Sequence, residues 1–95
     1  MKIVWSRRAK NDFDRILDYL EKEWSITTAQ KFILKTEKEL QLISTIPKAF
    51  PMSKKKQIHQ CIITRQITLF YKIHQHKISL ITFFDTRQHP NKLNL

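Results

Sequence analysis

The chain has 95 residues, of which 41% are hydrophobic, so it can form a single small domain, residues 1–95, around one packed core. It contains no glycine, which excludes both a glycine-rich phosphate loop and a dinucleotide-binding fingerprint. No apolar run approaches the roughly 18 residues of a membrane span, and we expect a cytoplasmic protein that does not bind a membrane.

The net charge of +10 lies mostly in the second half of the chain. Residues 1–45 hold nine Lys or Arg against seven Asp or Glu, whereas residues 46–95 hold nine against Asp85 alone. Such an excess of like charge costs stability, so it usually meets a partner of opposite sign. RNA, DNA and an acidic protein segment each fit, and the alternative is a basic surface that only maintains solubility. The single cysteine, Cys61, lies in an apolar run and predicts a buried, reduced thiol.

Residues 2–5 predict a short strand, and Ser6 can cap the helix that follows it. The apolar residues of this helix recur at the spacing of one face, namely Ala9, Phe13, Ile16, Leu17, Leu20 and Trp24. We expect the opposite face to be solvated, with charges of mixed sign at Asp12, Arg15, Asp18 and Lys22.

A second helix is predicted to begin at Thr27-x-x-Gln30, which has the spacing of a capping box, and to stop before Pro47. Its apolar face consists of Ala29, Phe32, Ile33, Thr36, Leu40 and Ile43. Two helices with so short a link make an antiparallel hairpin, which must cover an apolar surface.

Three strands are predicted after a loop over residues 47–56. Residues 58–63 are rich in β-branched side chains, and residues 67–73 and 78–84 alternate between apolar and other residues. The links between them are short enough for hairpins. The order β-α-α-β-β-β predicts an α+β two-layer domain, with the first strand at one edge of an antiparallel meander and the helical hairpin packed on one face.

Five short motifs follow one another along nearly the whole chain. They are Ile3-Val4-Trp5-Ser6-x-x-Ala9, Asp18-Tyr19-Leu20 before Trp24-Ser25, Pro47-x-x-x-Pro51, Leu69-Phe70-Tyr71-Lys72-Ile73, and Phe84-Asp85-x-Arg87-Gln88-x-Pro90-x-Lys92. In this order and spacing, the chain resembles the RelE/ParE superfamily of bacterial toxins.

The resemblance implies the toxin of a type II toxin–antitoxin system, neutralised by an acidic, partly disordered antitoxin that wraps round it. RelE-like members cut mRNA in the ribosomal A site without a metal, whereas ParE-like members poison DNA gyrase and need no catalytic residues of their own. Leu34 and Leu42, which lie off the main helical stripe, predict exposed apolar surface suited to such a partner.

Cleavage of ribosome-bound mRNA is the first interpretation, and it requires cations that stabilise the charge of the phosphorane. Arg87 matches the motif arginine of the resemblance, and the Lys54-Lys55-Lys56 run lies where RelE-like members place basic residues. The predicted phosphate-binding residues are therefore Lys54, Lys55, Lys56 and Arg65, with Arg87 as a catalytic cation.

Proton transfer requires a group that titrates near neutral pH, and His59 and His89 are the predicted catalytic candidates. His59 lies within an apolar strand, where a packed histidine is the alternative interpretation. His74-x-His76 lacks a third ligand, so we expect no metal, and no other cofactor is implied.

Two observations keep other functions open. Arg87 can simply pair with Asp85 at the end of the sheet, and the segment after Arg87 lacks the tyrosine that many RNA-cutting relatives carry. A ParE-like gyrase poison fits such a segment and is the main alternative. A non-toxic RNA-binding module would use the same basic surface, although it lacks the usual glycine-containing signature, and an inactive toxin relative would bind only the antitoxin.

Overall fold

In a computed structural model, which describes residues 1–95, two helices pack on one face of a four-stranded sheet. The elements are β1 (Lys2–Trp5), α1 (Arg7–Glu23), α2 (Ile26–Thr45), β2 (His59–Ile62), β3 (Ile67–His74) and β4 (Lys77–Asp85). Short 3-10 turns follow α2 and β4, at Pro47–Ala49 and Pro90–Lys92. Neither helix combines the length and apolarity needed to cross a membrane. The predicted α+β architecture is confirmed.

The sheet has the strand order β1-β4-β3-β2. β2, β3 and β4 form the predicted antiparallel meander, whereas β1 joins its edge parallel to β4, with Ile3 opposite Ile78. The sheet is therefore mixed. A parallel pair needs a long crossover connection, and here the helical hairpin and the first two meander strands provide it.

Both helices begin at a serine cap. The Ser6 hydroxyl accepts a hydrogen bond from the Ala9 amide at 2.9 Å, as predicted. The second cap is Ser25, whose extended backbone lets its hydroxyl accept from the Thr28 amide at 3.0 Å. The prediction of a capping box at Thr27 was wrong. Only two residues separate the helices, so α2 begins at Ile26, and Ser25 accepts the hydrogen bond from the amide in its first turn.

Two side chains that the sequence assigned to the first helix lie elsewhere than predicted. Trp24 is 70% exposed, because α1 ends at Glu23 and the tryptophan leaves the apolar stripe. Asp12 was expected on a solvated face but is 7% exposed. Its carboxylate accepts hydrogen bonds from the Thr82 hydroxyl and, at 3.2 Å, from the Phe83 amide, so it joins α1 to β4.

The β4 strand contains a bulge that the alternating pattern did not predict. Phe70 lies opposite Thr82 and Tyr71 opposite Leu80, so Ile81 is an extra residue. Beyond it the alternation shifts by one position, and Phe83 rather than Phe84 joins the main core cluster. The bulge also brings the Thr82 hydroxyl and the next amide to the Asp12 carboxylate.

The core between helices and sheet encloses two ionisable groups, Cys61 and Tyr71, which are 1% and 0% exposed. The Tyr71 hydroxyl donates to the Pro47 carbonyl at 2.6 Å, and the Cys61 thiol donates to the Glu39 carboxylate at 3.4 Å. Burial, with the Glu39 carboxylate next in importance, raises the pKa of Cys61 to about 12. Burial also raises the pKa of Tyr71.

We expect the free energy of unfolding to fall as the pH rises above about 9. In that range the unfolded thiol ionises while the folded one stays protonated, so stability is lost up to the folded pKa of about 12. The slope is about 1.4 kcal/mol per pH unit for one such group. Urea titrations at pH 8 and pH 10 measure it. A Cys61→Ala variant should show a flatter dependence, and parallel curves for the two proteins would contradict this account.

Candidate partner-binding groove

A groove of about 760 Å³ opens between the helical hairpin and the end of the sheet where β4 finishes. Its walls come from α1, the first half of α2, the β2–β3 turn and the segment after β4. Six basic residues line it, Arg8, Arg15, Lys31, Lys35, Arg87 and Lys92, and the apolar lining includes Ile16, Leu20, Trp24, Phe32 and Phe84. The groove therefore combines positive charge with apolar surface.

The helices present their cations to the groove in two ways. Arg15 is held by the Asp12 carboxylate, one of the two acidic residues in the lining. Lys31 and Lys35 lie one turn apart on α2 and form no ion pair within the chain. These two ammonium groups are consequently available to a bound anion.

Arg87 is bound in place at the end of β4. Its Nε donates to Asp85 Oδ1 at 2.9 Å and its Nη2 donates to Asp85 Oδ2 at 2.6 Å, so the pair is bidentate. These hydrogen bonds lower the pKa of Asp85 and raise the pKa of Arg87. Arg87 therefore pairs with Asp85, as the alternative to a catalytic role predicted, and it lines the groove.

The segment after β4 is attached to the start of α1. The Arg8 guanidinium donates to the carbonyl oxygens of Leu93 and Asn94. This attachment places Lys92 along the groove, where it forms no ion pair.

The family is decided by comparison with known proteins. A model of the family described as the ParE toxin of the type II toxin–antitoxin system parDE matches residues 3–90. The chain belongs to the ParE toxin family. No match was found among curated protein sequences.

Two solved structures share the fold of this ParE-family toxin. A chain of the chromosomal ParDE toxin–antitoxin system from P. aeruginosa superposes with a TM-score of 0.76 at 15% identity, covering 90% of this chain and 95% of that one. A YoeB/ParE toxin from Agrobacterium tumefaciens superposes with a TM-score of 0.65 at 13% identity, covering 90% and 98%. At these identities the likeness concerns the fold.

The remaining predicted cations of the toxin lie outside the groove. Lys54, Lys55 and Lys56 are exposed in the loop before β2, where the Lys56 ammonium donates to the main-chain oxygen of Leu95 at 2.7 Å. Arg65 is exposed in the β2–β3 turn, next to the groove residues Thr64 and Gln66. Arg87 thus lines the groove, whereas none of the three lysines does.

The two predicted catalytic histidines of the toxin are both engaged by contacts within the chain. His59 is 5% exposed; its ring stacks on Tyr71 with a centroid distance of 5.0 Å, and its Nδ1–H donates to the Phe50 carbonyl at 2.9 Å. His89 is exposed, but its Nδ1 accepts from the Asn91 amide at 3.1 Å and caps the last turn. No histidine lines the groove.

Sequence reasoning missed the helical side of the groove, above all Lys31 and Lys35. A signal existed, because these lysines have i,i+4 spacing and flank Phe32 at the border of the predicted apolar face. A pair of unpartnered cations beside an apolar stripe is a recognisable interface pattern once the helix has been assigned.

Proposed function

We propose that this toxin arrests growth by binding DNA gyrase, and that it does not cut RNA. The observation that carries the proposal is that the candidate catalytic residues are already engaged by contacts within the chain. A general base must reach the 2′-OH while cations hold the same phosphate. His59 is buried against Tyr71, His89 is a helix cap, and Arg87 is bound to Asp85. A ParE-like poison requires no such constellation.

We further propose that the groove binds an acidic amphipathic helix of the antitoxin. Lys31 and Lys35 would pair with carboxylates on one side of that helix, and its apolar side would cover Leu20 and Trp24. Trp24 is 70% exposed in the free toxin, so such a partner would bury a large apolar side chain. The combination of apolar and positively charged lining residues favours an acidic amphipathic segment that folds on binding.

A second candidate function is metal-independent cleavage of ribosome-bound mRNA. It is favoured by the presence of both Arg87 and Tyr19 in the lining of the groove, because a phenol near a guanidinium can take part in proton transfer. In this alternative Arg87 stabilises the phosphorane, Lys54, Lys55, Lys56 and Arg65 bind flanking RNA, and His89 assists the proton transfers.

The test uses purified toxin, gyrase, ATP and supercoiled plasmid. We expect the toxin to increase linear plasmid after detergent and protease treatment, and preincubation with the antitoxin to abolish the increase. Under the gyrase proposal Arg87 is not a catalytic residue, so an Arg87→Ala toxin should retain most of the increase in linear plasmid. Absence of linear plasmid, together with Arg87-dependent cutting of mRNA on ribosomes, would overturn the proposal in favour of the second candidate.

A further inference from the structure

The toxin carries a second basic surface on the face of the sheet that the helices leave uncovered. We call it the outer basic patch, and it consists of Lys2, Lys72, His74 and Lys77. The register places Lys2 opposite Lys77 and Lys77 opposite His74, on three adjacent strands. Neighbouring strands are about 4.8 Å apart, so this row spans about 10 Å. Lys72 lies two residues from His74 along β3, about 6.6 Å away.

The side of the sheet on which the patch lies follows from the core residues between its members. Ile3, Ile73 and Ile78 pack in or against the helix-side core. Successive side chains in a strand point to opposite faces. The four members of the patch therefore point away from the helices, and all four are exposed.

The patch has no acidic neighbour on its own face. Seven of the eight acidic residues lie on α1 and α2, in the other layer of the domain. The eighth, Asp85, ends β4 far from Lys77, which begins it, and is paired with Arg87. None of the three ion pairs of the chain involves the patch, so its cations are uncompensated.

We propose that the outer basic patch binds the phosphate backbone of duplex DNA. Recognition of single-stranded RNA on a sheet requires exposed aromatic rings on which bases stack. The patch offers lysines and an imidazole, its neighbours in the second row are Val4 and Ser79, and the aromatic ring nearest to it along β3 on this face, Phe70, is largely buried. A surface that binds phosphates without stacking suits a duplex, whose bases remain paired inside.

The choice of DNA over an RNA duplex rests on the proposed function, because gyrase acts on duplex DNA. The patch lies at the hairpin end of the sheet, whereas the groove lies at the end where β4 finishes. The two surfaces can therefore be occupied together, one by DNA and the other by a protein.

The experiment measures binding of the toxin to a fluorescent DNA duplex by anisotropy, over a series of salt concentrations and without gyrase. Each lysine–phosphate contact adds about 0.9 to the magnitude of the slope of log K against log salt. The triple variant Lys2→Gln, Lys72→Gln, Lys77→Gln should reduce that magnitude by about 3. The matched control, Lys22→Gln, Lys38→Gln, Lys48→Gln, removes the same charge from exposed positions outside both surfaces and should leave the slope unchanged.

Equal slopes for the two triple variants, or tighter binding of single-stranded RNA or an RNA duplex of the same sequence, would overturn the proposal. The assay contains no gyrase, so its failure is distinct from failure of the proposed function. If the wild-type toxin shows no affinity for DNA while the patch variant still stimulates plasmid cleavage by gyrase, the patch proposal is wrong and the proposed function is unaffected.

Discussion

Replacing Asp12 by alanine is expected to lower the free energy of unfolding by about 3 kcal/mol. The carboxylate is the acceptor for two buried donors, the Thr82 hydroxyl and the Phe83 amide, and both would lose their partner. Leaving a buried donor unsatisfied costs about 1–3 kcal/mol. The contact links α1 to β4, so its loss also removes a connection between the helical layer and the sheet. Urea unfolding followed by circular dichroism measures the change.

Asp14→Ala is the matched control for this prediction. Asp14 lies on the same helix and pairs with Lys10 at 2.9 Å, but both side chains are more than half exposed. An exposed pair of this kind contributes about 0–1 kcal/mol. If the two variants unfold at the same urea concentration, Asp12 is not the link between helix and sheet that its hydrogen bonds indicate.

Reversing the charge of the two groove lysines by the substitutions Lys31→Glu and Lys35→Glu is expected to weaken antitoxin binding by at least about 100-fold. Two close interfacial charge pairs are lost and two repulsions are introduced, for a total of about 3 kcal/mol or more. The substitutions lie on exposed positions of α2, so the fold should persist. Titration calorimetry with the antitoxin gives the affinity, and growth in cells that co-express the antitoxin shows whether neutralisation is lost.

The control for the groove is Lys22→Glu with Lys38→Glu, which changes the net charge equally on exposed helical positions outside the groove. It should bind the antitoxin with an affinity close to that of the wild type. Equal weakening by both double variants would mean that net charge, rather than the groove, attracts the antitoxin.

The elements of the fold could be predicted because their signals are local. Apolar periodicity identified both helices, alternation identified β3 and β4, and Ser6 marked the first helix start. The parallel orientation of β1 and the bulge at Ile81 could not be predicted in this way. Both depend on how distant segments pair, and a four-residue strand contains no local indication of its neighbour's direction.

The groove was less predictable than the fold, because its walls come from residues far apart in the chain. Asp12 appeared solvated on a helical wheel, but it is buried where it accepts hydrogen bonds from Thr82 and Phe83, which lie far away in the sequence. The position of His59 was predictable in principle. It lies two residues before Cys61 in β2, so the two side chains share a face, and Cys61 was expected to be buried. The Arg87–Asp85 pair is local and was foreseen as an alternative to catalysis.

The most direct test of the central claim, that this ParE-family toxin acts on gyrase, is made in cells without antitoxin. New RNA 5′ ends are mapped across the transcriptome minutes after induction of the wild type and of Arg87→Ala, and the DNA-damage response is followed in the same cultures. We predict growth arrest with intact mRNA and an induced damage response for both proteins. Fresh cuts within translated codons, present with the wild type and lost with Arg87→Ala, would contradict the claim and identify a ribosome-dependent ribonuclease.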